Sequence, residues 1–204
     1  MSKEQFKEKG YTVVRKAVSK ELVDFITQYA LFDEMQDFNP DLNQVVGAHA
    51  KYADPAMETL LLALQPVIEE ATGVTVYPTY SFYRVYRPGD ELVIHKDRPS
   101  CEISITISLG YDYQGKDYSW PIFVDGIPCS LEPGDLVCYR GVDLDHWREP
   151  LVAPDNSWHV QAFLHYVDIN GPYSDYKFDK RESVGVKKVK EIKSEPKSYI
   201  QYTK

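Results

Sequence analysis

The chain has 204 residues, of which 43% are hydrophobic and 26% charged, and this is enough for one folded domain with a sizeable core. Its net charge of −8 argues against a general nucleic-acid binder, because such proteins neutralise phosphates with basic side chains. No apolar run is long enough for a membrane span, and the charged N-terminus does not resemble a secretory signal. Three cysteines without CxxC spacing favour neither a disulfide framework nor a structural zinc site, so we expect a reduced, cytoplasmic protein.

Residues 1–73 are predicted to form a mainly helical support. The β-branched segment 10–18 indicates a short strand, and Ser19 is a suitable N-cap for a helix that starts at Lys20. A polar loop is expected over 33–51. Asp54 followed by Pro55 then predicts the start of a second helix, which Gly73 ends.

From residue 74 to 170 the sequence consists of short β-like runs separated by Pro-Gly and Gly turns, which predicts a sandwich or a small barrel. The alternation is complete between Cys101 and Leu109. Apolar Ile103, Ile105, Ile107 and Leu109 share one face, and polar Ser104, Thr106 and Ser108 share the other. We expect the apolar face to pack against the helices and the polar face to line a pocket.

After Pro172 the pattern ends. Residues 180–204 contain eight basic and three acidic side chains, a net charge of +5, whereas residues 1–179 carry −13 (−8 minus +5). The sequence therefore predicts one domain over 1–179, with its β core at 74–170, followed by a basic extension over 180–204. A solvated extension is expected, with an interaction arm as the alternative.

A possible metal site is indicated by His95, Asp97 and His146. Residues i and i+2 of a strand point to the same side, so His95 and Asp97 converge. His146 follows a second Pro-Gly-Asp turn and a further strand. Two histidines and one carboxylate form the facial triad of non-haem Fe(II) oxygenases, which leaves three metal positions open.

The stretch from about residue 80 to 167 resembles the 2-oxoglutarate/Fe(II)-dependent oxygenases, most nearly their prolyl-hydroxylase-like and phytanoyl-type branches. The motifs that carry the resemblance are Tyr86-Arg87-Pro88-Gly89-Asp90 before His95-x-Asp97, Leu131-x-Pro133-Gly134-Asp135 before the distal strand, and His146 followed by Arg148-Glu149-Pro150. The opening, from Phe6 to Val14 and the following helix, also resembles the N-terminal support of that family.

The resemblance implies a mainly β fold, the cupin-like double-stranded β-helix or jelly roll, with supporting N-terminal α-helices. It also implies Fe(II) held by His95, Asp97 and His146, with 2-oxoglutarate and O2 as co-substrates. The expected reaction is hydroxylation of an amino-acid, peptidyl (prolyl-like) or other small substrate, with release of succinate and CO2. Neither a nucleic acid nor a membrane is expected as a partner. Asp97 argues against halogenation, which needs a small residue there.

Two alternatives stay open. An iron oxygenase of the same family could catalyse desaturation, epimerisation or ring formation, and the metal triad does not distinguish these outcomes from hydroxylation. A non-catalytic, cupin-like metal-binding protein is the alternative from a different functional class.

The residues that would bind the distal carboxylate of 2-oxoglutarate depart from the family pattern. Members usually place an Arg or Lys shortly after the distal histidine, but residues 151–176 contain neither. We expect His159, as an imidazolium, to serve with Arg84 and Tyr86. Ser108 and Gln161 are further candidates for contact with the co-substrate.

The sequence leaves the role of Arg148 open and predicts no functional role for His49 or His165. Arg148 could reach a substrate carboxylate or pair with Glu149 or Asp145. His49 lies in the early loop and is expected to be solvated. His165 is expected to be a core or surface residue.

Overall fold

The computed structural model describes residues 2–186 of the chain. Its strands form two antiparallel sheets that face each other. The larger has six strands in the order β1-β8-β5-β10-β3-β2, and the smaller has four in the order β4-β9-β6-β7. This arrangement confirms the predicted mainly β fold with N-terminal helices.

The helices and strands have the following bounds: α1 Ser2–Lys9, β1 Tyr11–Val14, α2 Lys20–Gln36, β2 His49–Tyr52, α3 Pro55–Thr72, β3 Val76–Tyr86, β4 Leu92–His95, β5 Ile103–Asp112, β6 Ile122–Val124, β7 Ile127–Cys129, β8 Leu136–Arg140, β9 His146–Arg148 and β10 Trp158–Asp168. Short 3-10 segments lie at Pro99–Cys101 and Ser174–Lys180. No helix within residues 2–186 combines the length and apolar character that a bilayer span requires.

The helix ends follow the capping signals in the sequence. The side chain of Ser19 accepts a hydrogen bond from the backbone N–H of Leu22 at the start of α2. Asp54 accepts from the N–H groups of Ala56 and Met57 at the start of α3. Each cap contributes about 1 kcal/mol by satisfying donors that the first helical turn leaves free. Gly73 ends α3 in the left-handed conformation, with φ of 71°.

The main core lies between the helices and the outer face of the larger sheet. Ile103, Ile105, Ile107 and Leu109 of β5 are buried there together with Met57, Leu61 and Ile68 of α3 and Ile26 of α2. The predicted apolar face is therefore confirmed. The opposite face of β5, with Ser104, Thr106 and Ser108, points toward the smaller sheet and is also buried.

The early loop is shorter than predicted. Helix α2 continues to Gln36, and the strand β2 begins at His49, so only residues 37–48 connect them. His49 is buried and not solvated. Its Nε2 lies 3.1 Å from a carboxylate oxygen of Asp33 and 3.0 Å from the Tyr83 hydroxyl. Because β2 pairs with β3, His49 belongs to the larger sheet. The residues around it in the sequence are typical of a loop and do not predict this strand.

The start of the predicted C-terminal extension is attached to the domain. Arg181 is buried and forms a two-point ion pair with Glu58 of α3, with nitrogen–oxygen distances of 2.5 and 3.1 Å. Gly185 donates its backbone N–H to the same carboxylate. Residues 180–186 therefore lie against the domain, and the remainder of the predicted extension, 187–204, lies outside the described residues.

Candidate metal centre and co-substrate pocket

Pairing within the larger sheet sorts the polar inward-facing residues into rows that cross the strands. Gln161 of β10 lies opposite Arg84 of β3 on one side and Ser108 of β5 on the other. Two residues earlier in β10, His159 lies opposite Tyr86 and Tyr111. Because side chains alternate along a strand, all five predicted co-substrate residues (His159, Arg84, Tyr86, Ser108 and Gln161) share the inner face.

The smaller sheet brings the three predicted metal ligands together. His95 at the end of β4 is the register partner of His146 at the start of β9. Asp97 follows two residues after His95, and its Oδ1 lies 3.8 Å from Nε2 of His95 and 3.6 Å from Nε2 of His146. One ligand atom from each residue lies within 4.8 Å of the other two.

Both imidazoles are oriented by the backbone. Nδ1 of His95 lies 2.7 Å from the carbonyl oxygen of Val93, and Nδ1 of His146 lies 3.0 Å from that of Leu144. A carbonyl oxygen only accepts, so each Nδ1 carries the proton and each Nε2 presents a lone pair. This tautomer is the one that a metal-ligating histidine needs when its outer nitrogen is held in place.

The protonation states also suit a metal. Burial lowers the pKa of His95, which favours the neutral imidazole, and a positive charge on the adjacent His146 would lower that pKa further. Burial alone would raise the pKa of Asp97, but its interaction with His146 and a hydrogen bond from Ser104 bring the pKa to about 2. Two imidazoles and one carboxylate are a ligand set that fits a divalent ion such as Fe(II).

Within residues 2–186 a second group, Asp97, Cys101 and His165, also brings three metal-binding side chains together. It fits a metal less well. Burial raises the pKa of the Cys101 thiol, and the thiolate is the form that binds metal. Nδ1 of His165 lies 3.0 Å from Oγ of Ser104, which in turn donates to Asp97 at 2.5 Å. His165 and Ser104 therefore act as supports for Asp97.

A cavity of about 480 Å³ opens over the three ligands. Its wall also includes the cations Arg84, Lys96 and Arg98 and the aromatic side chains Tyr52, Tyr80, Phe82 and Phe163. Asp41 and Asp97 line the cavity as well, so its wall carries both signs of charge, and its size suits a small ligand beside the candidate metal site.

Arg84 is buried at the inner end of this cavity and is already paired. Its guanidinium forms an ion pair with Asp41 and donates to the Tyr86 hydroxyl at 2.9 Å and to Gln44 Oε1 at 3.2 Å. Burial disfavours its charge, but Tyr86 and Asp41 outweigh burial, and the pKa of Arg84 is raised. Asp41 comes from the 37–48 connection, and the sequence analysis did not identify it.

His159 is not part of the lining of this cavity and lies inside an aromatic enclosure beside a second, smaller cavity. The Tyr113 hydroxyl is 2.8 Å from its Nδ1, the Tyr111 ring stacks on it at 5.6 Å, and the Trp120 ring meets it edge-on. Burial, reinforced by the nearby charge of Arg148, holds the pKa of His159 well below its usual value. This interior favours the neutral imidazole, because it does not solvate a second positive charge. The imidazolium that a bound carboxylate would favour stays a prediction.

Arg148 follows His146 by two residues on β9 and is 2% exposed. Its guanidinium lies over the Trp120 ring at 4.4 Å and donates to the Trp120 carbonyl oxygen. Burial lowers its pKa to about 10, which leaves it charged at neutral pH. Neither pairing considered for it occurs, and the Glu149 carboxylate instead accepts from Trp147 Nε1 at 2.9 Å.

No protein-family model and no curated protein matches this chain. Solved structures do. A prolyl-4-hydroxylase from Pseudomonas putida superposes with a TM-score of 0.62 at 19% identity, covering 79% of this chain and 95% of its own. EctD from S. alaskensis, solved with 2-oxoglutarate and 5-hydroxyectoine, gives 0.64 at 15% identity over 90% and 85%.

SnoN, a non-haem α-ketoglutarate-dependent epimerase from nogalamycin biosynthesis, gives a TM-score of 0.67 at 10% identity over 90% of this chain and 89% of its own. These likenesses establish the fold. It is the double-stranded β-helix that 2-oxoglutarate/Fe(II) oxygenases share, as the sequence motifs predicted.

Proposed function

We propose that this protein is an Fe(II)- and 2-oxoglutarate-dependent dioxygenase, most consistent with a hydroxylase. The observation that carries the proposal is the convergence of His95, Asp97 and His146 from two strands, with both Nε2 atoms turned toward the carboxylate. The ligand set suits Fe(II), and the neighbouring cavity has room for a co-substrate and a substrate.

When bound, Fe(II), 2-oxoglutarate and O2 would supply the oxidation of an unactivated C–H bond, with release of succinate and CO2. The protein would hold the metal through three residues and leave the positions facing the cavity open. Ser104 and the two backbone carbonyls fix the orientation of the ligands. Polar side chains of the inner face, namely Arg84, Tyr86, Ser108, His159 and Gln161, would orient the co-substrate.

The substrate we propose is a free or peptidyl amino acid, prolyl-like, or another small molecule. A cavity of about 480 Å³ accommodates a ligand of that size, and Tyr52, Phe82 and Phe163 offer apolar contact near the metal ligands. We also propose a cytoplasmic location, which is supported by three buried cysteines that form no disulfide.

Anaerobic titration of the purified protein with Fe(II) and then 2-oxoglutarate tests the proposal. A weak visible metal-to-ligand charge-transfer band should appear in the wild type and be absent in His95→Ala and Asp97→Ala. Thr106→Val, on the same inner face, is the matched control and should keep the band, because the Thr106 hydroxyl contacts Tyr139 and none of the three candidate ligands.

The outcomes separate the alternatives. Bound iron without a band would favour the cupin-like binding protein. A band, followed by succinate release and a product heavier by one oxygen atom, would support the hydroxylase. Succinate release with a product of unchanged mass would indicate epimerisation, and a product lighter by two hydrogens would indicate desaturation or ring formation.

A further inference from the structure

Arg148 carries a buried positive charge to which the structure gives no counter-ion. Two other buried arginines, Arg84 and Arg181, form ion pairs with Asp41 and Glu58. Among the described residues Arg148 has no such pair, and its Nε lacks a hydrogen-bond partner. A buried charge is costly unless an opposite charge or a set of hydrogen bonds compensates it, and the Trp120 ring and one carbonyl do so only in part.

Unpartnered polar atoms also lie nearby. Nε2 of His159, both amide atoms of Gln161 and Oγ of Ser108 are buried without a hydrogen-bond partner. Trp120 contacts both Arg148, at 4.4 Å, and His159, at 5.3 Å, so these two side chains share one enclosure. Because the Tyr113 hydroxyl can donate to Nδ1 of His159, Nε2 is free to act as an N–H donor.

The position of the enclosure relative to the metal site is fixed by β9. His146 and Arg148 are two residues apart on one strand, so their Cα atoms are roughly 7 Å apart and their side chains leave the same side. A ligand bound to the metal by one end would have to span about this distance to reach Arg148. A five-carbon dicarboxylate has this length.

We propose that Arg148, with a neutral His159 donating from Nε2, binds the distal carboxylate of 2-oxoglutarate. The inference rests on the proposed function. The carboxylate would supply the missing counter-ion and accept from donors that are otherwise unsatisfied. Arg84 is the rival anchor, but Asp41 already balances its charge, so a second carboxylate gains less there.

The test compares two co-substrates under anaerobic conditions with Fe(II) present. The first is 2-oxoglutarate, and the second is 2-oxopentanoate, which keeps the keto-acid end and lacks the distal carboxylate. Charge-transfer titration gives a Kd for each. In the wild type the preference for 2-oxoglutarate should be about a hundredfold or more, since a charge-assisted pair in a buried site is strong.

Arg148→Met should bring this preference close to unity while the Kd for 2-oxopentanoate stays nearly unchanged. Arg84→Met tests the rival anchor and should reduce the preference far less than Arg148→Met does. Thr106→Val, which removes a hydroxyl that contacts Tyr139 and leaves both arginines in place, is the matched control and should keep the preference within a fewfold of the wild type. Metal-free Arg148→Met should unfold at the same temperature as the wild type or higher, because the substitution removes an uncompensated charge. If that variant fails to fold, Arg148→Lys replaces it and should reduce the preference at least tenfold.

The failures are distinguishable. A wild type that binds Fe(II) but shows no band with 2-oxoglutarate would overturn the proposed function itself. A wild type that binds 2-oxoglutarate, together with Arg148 variants that keep the full preference, would overturn only the role of Arg148. Loss of the preference in Arg84→Met alone would transfer that role to Arg84.

Discussion

Gly141 lies directly against the carboxylate of Asp97. Its carbonyl oxygen accepts the backbone N–H of Asp97 at 2.8 Å, which joins the segment after β4 to the turn between β8 and β9. A Cβ atom at position 141 would collide with Oδ2 of Asp97 and the Cys101 carbonyl oxygen, and would lie 2.6 Å from Oγ of Ser104. The absence of a side chain at this turn is therefore a requirement of the metal site.

Gly141→Ala is expected to weaken Fe(II) binding by at least tenfold, because Asp97 has to move to make room for the methyl group. The measurement is an anaerobic metal-binding titration. Gly110→Ala is a suitable control, since its Cβ would lie 2.9 Å from Thr27 of α2, away from the metal ligands. Both variants should lose about 1–3 kcal/mol of stability by overpacking, but only the first should lose metal affinity. If Gly141→Ala and Gly110→Ala bound Fe(II) with equal affinity, the proposed requirement for glycine at position 141 would be contradicted.

Ser104→Ala is expected to lower Fe(II) affinity about 10- to 100-fold. The hydroxyl of Ser104 donates to Oδ2 of Asp97 at 2.5 Å and contacts His165 at 3.0 Å, so its loss frees the carboxylate to rotate. Thr106→Val removes a hydroxyl two residues along the same strand face, where its partner is Tyr139 at 3.3 Å. That control should bind the metal as the wild type does. A matching loss in both variants would point to a general effect on the sheet.

The sequence predicts some features of the sheet and of the candidate site and not others, and the reasons are physical. The alternation in β5 is visible because each residue faces either a helix layer or the interior, and each environment selects one chemical type. His95, Asp97 and His146 could be predicted as a candidate metal triad because their local spacing is combined with turn motifs. Nothing comparable marks Asp41, which lies in an aperiodic connection and meets Arg84 only through the tertiary fold.

Arg148 and His159 show more clearly what the sequence does not reveal, which is the burial of a side chain. The strand β9 has three residues, too few for its alternation to reveal which side chain points inward. The charge of His159 depends on the burial of both side chains, and residue types alone do not give burial. The sequence therefore identifies which residues of β10 share a face, but it does not show that burial favours the neutral form of His159.

His159 should make the stability of the metal-free protein depend on pH. The unfolded histidine has a pKa near 6.5 and takes up a proton that the folded one refuses, so the free energy of unfolding falls as the pH drops below about 6.5. One such group contributes up to about 1.4 kcal/mol per pH unit. The variant His159→Gln should lack this pH-dependent contribution. The difference in the free energy of unfolding between the wild type and the variant should therefore shrink or reverse toward pH 5.

Urea unfolding of both proteins at intervals between pH 5 and 7.5 measures this effect. The other buried histidines contribute to both curves and cancel in the difference, which is the quantity to plot. Parallel curves for the two proteins would mean that His159 has the same pKa in the folded and unfolded states, so that burial does not hold it neutral. The hydrogen-bonding role proposed for its neutral form would then be wrong.

Arg181→Met should destabilise the protein by about 3–5 kcal/mol, because Glu58 would be left buried without its cation. Both side chains are at most 2% exposed, so solvent does not screen the pair. The double variant Glu58→Leu/Arg181→Met should recover most of that loss, since it removes both charges together. Urea unfolding of the two single variants and the double variant gives the coupling energy, and simple additivity would contradict a strong pair.

The segment that carries Arg181 contacts two residues in the wall of the metal-site cavity. Asp179 accepts hydrogen bonds from the Tyr52 hydroxyl at 2.6 Å and from Arg98 at 2.6 Å, and Tyr52 and Arg98 both line the cavity. A ligand that changes the contacts of Tyr52 or Arg98 with Asp179 would therefore be thermodynamically linked to docking of residues 174–186. A ligand that draws Arg98 away from Asp179 must weaken docking of the segment, and release of the segment must change the affinity for that ligand by the same factor.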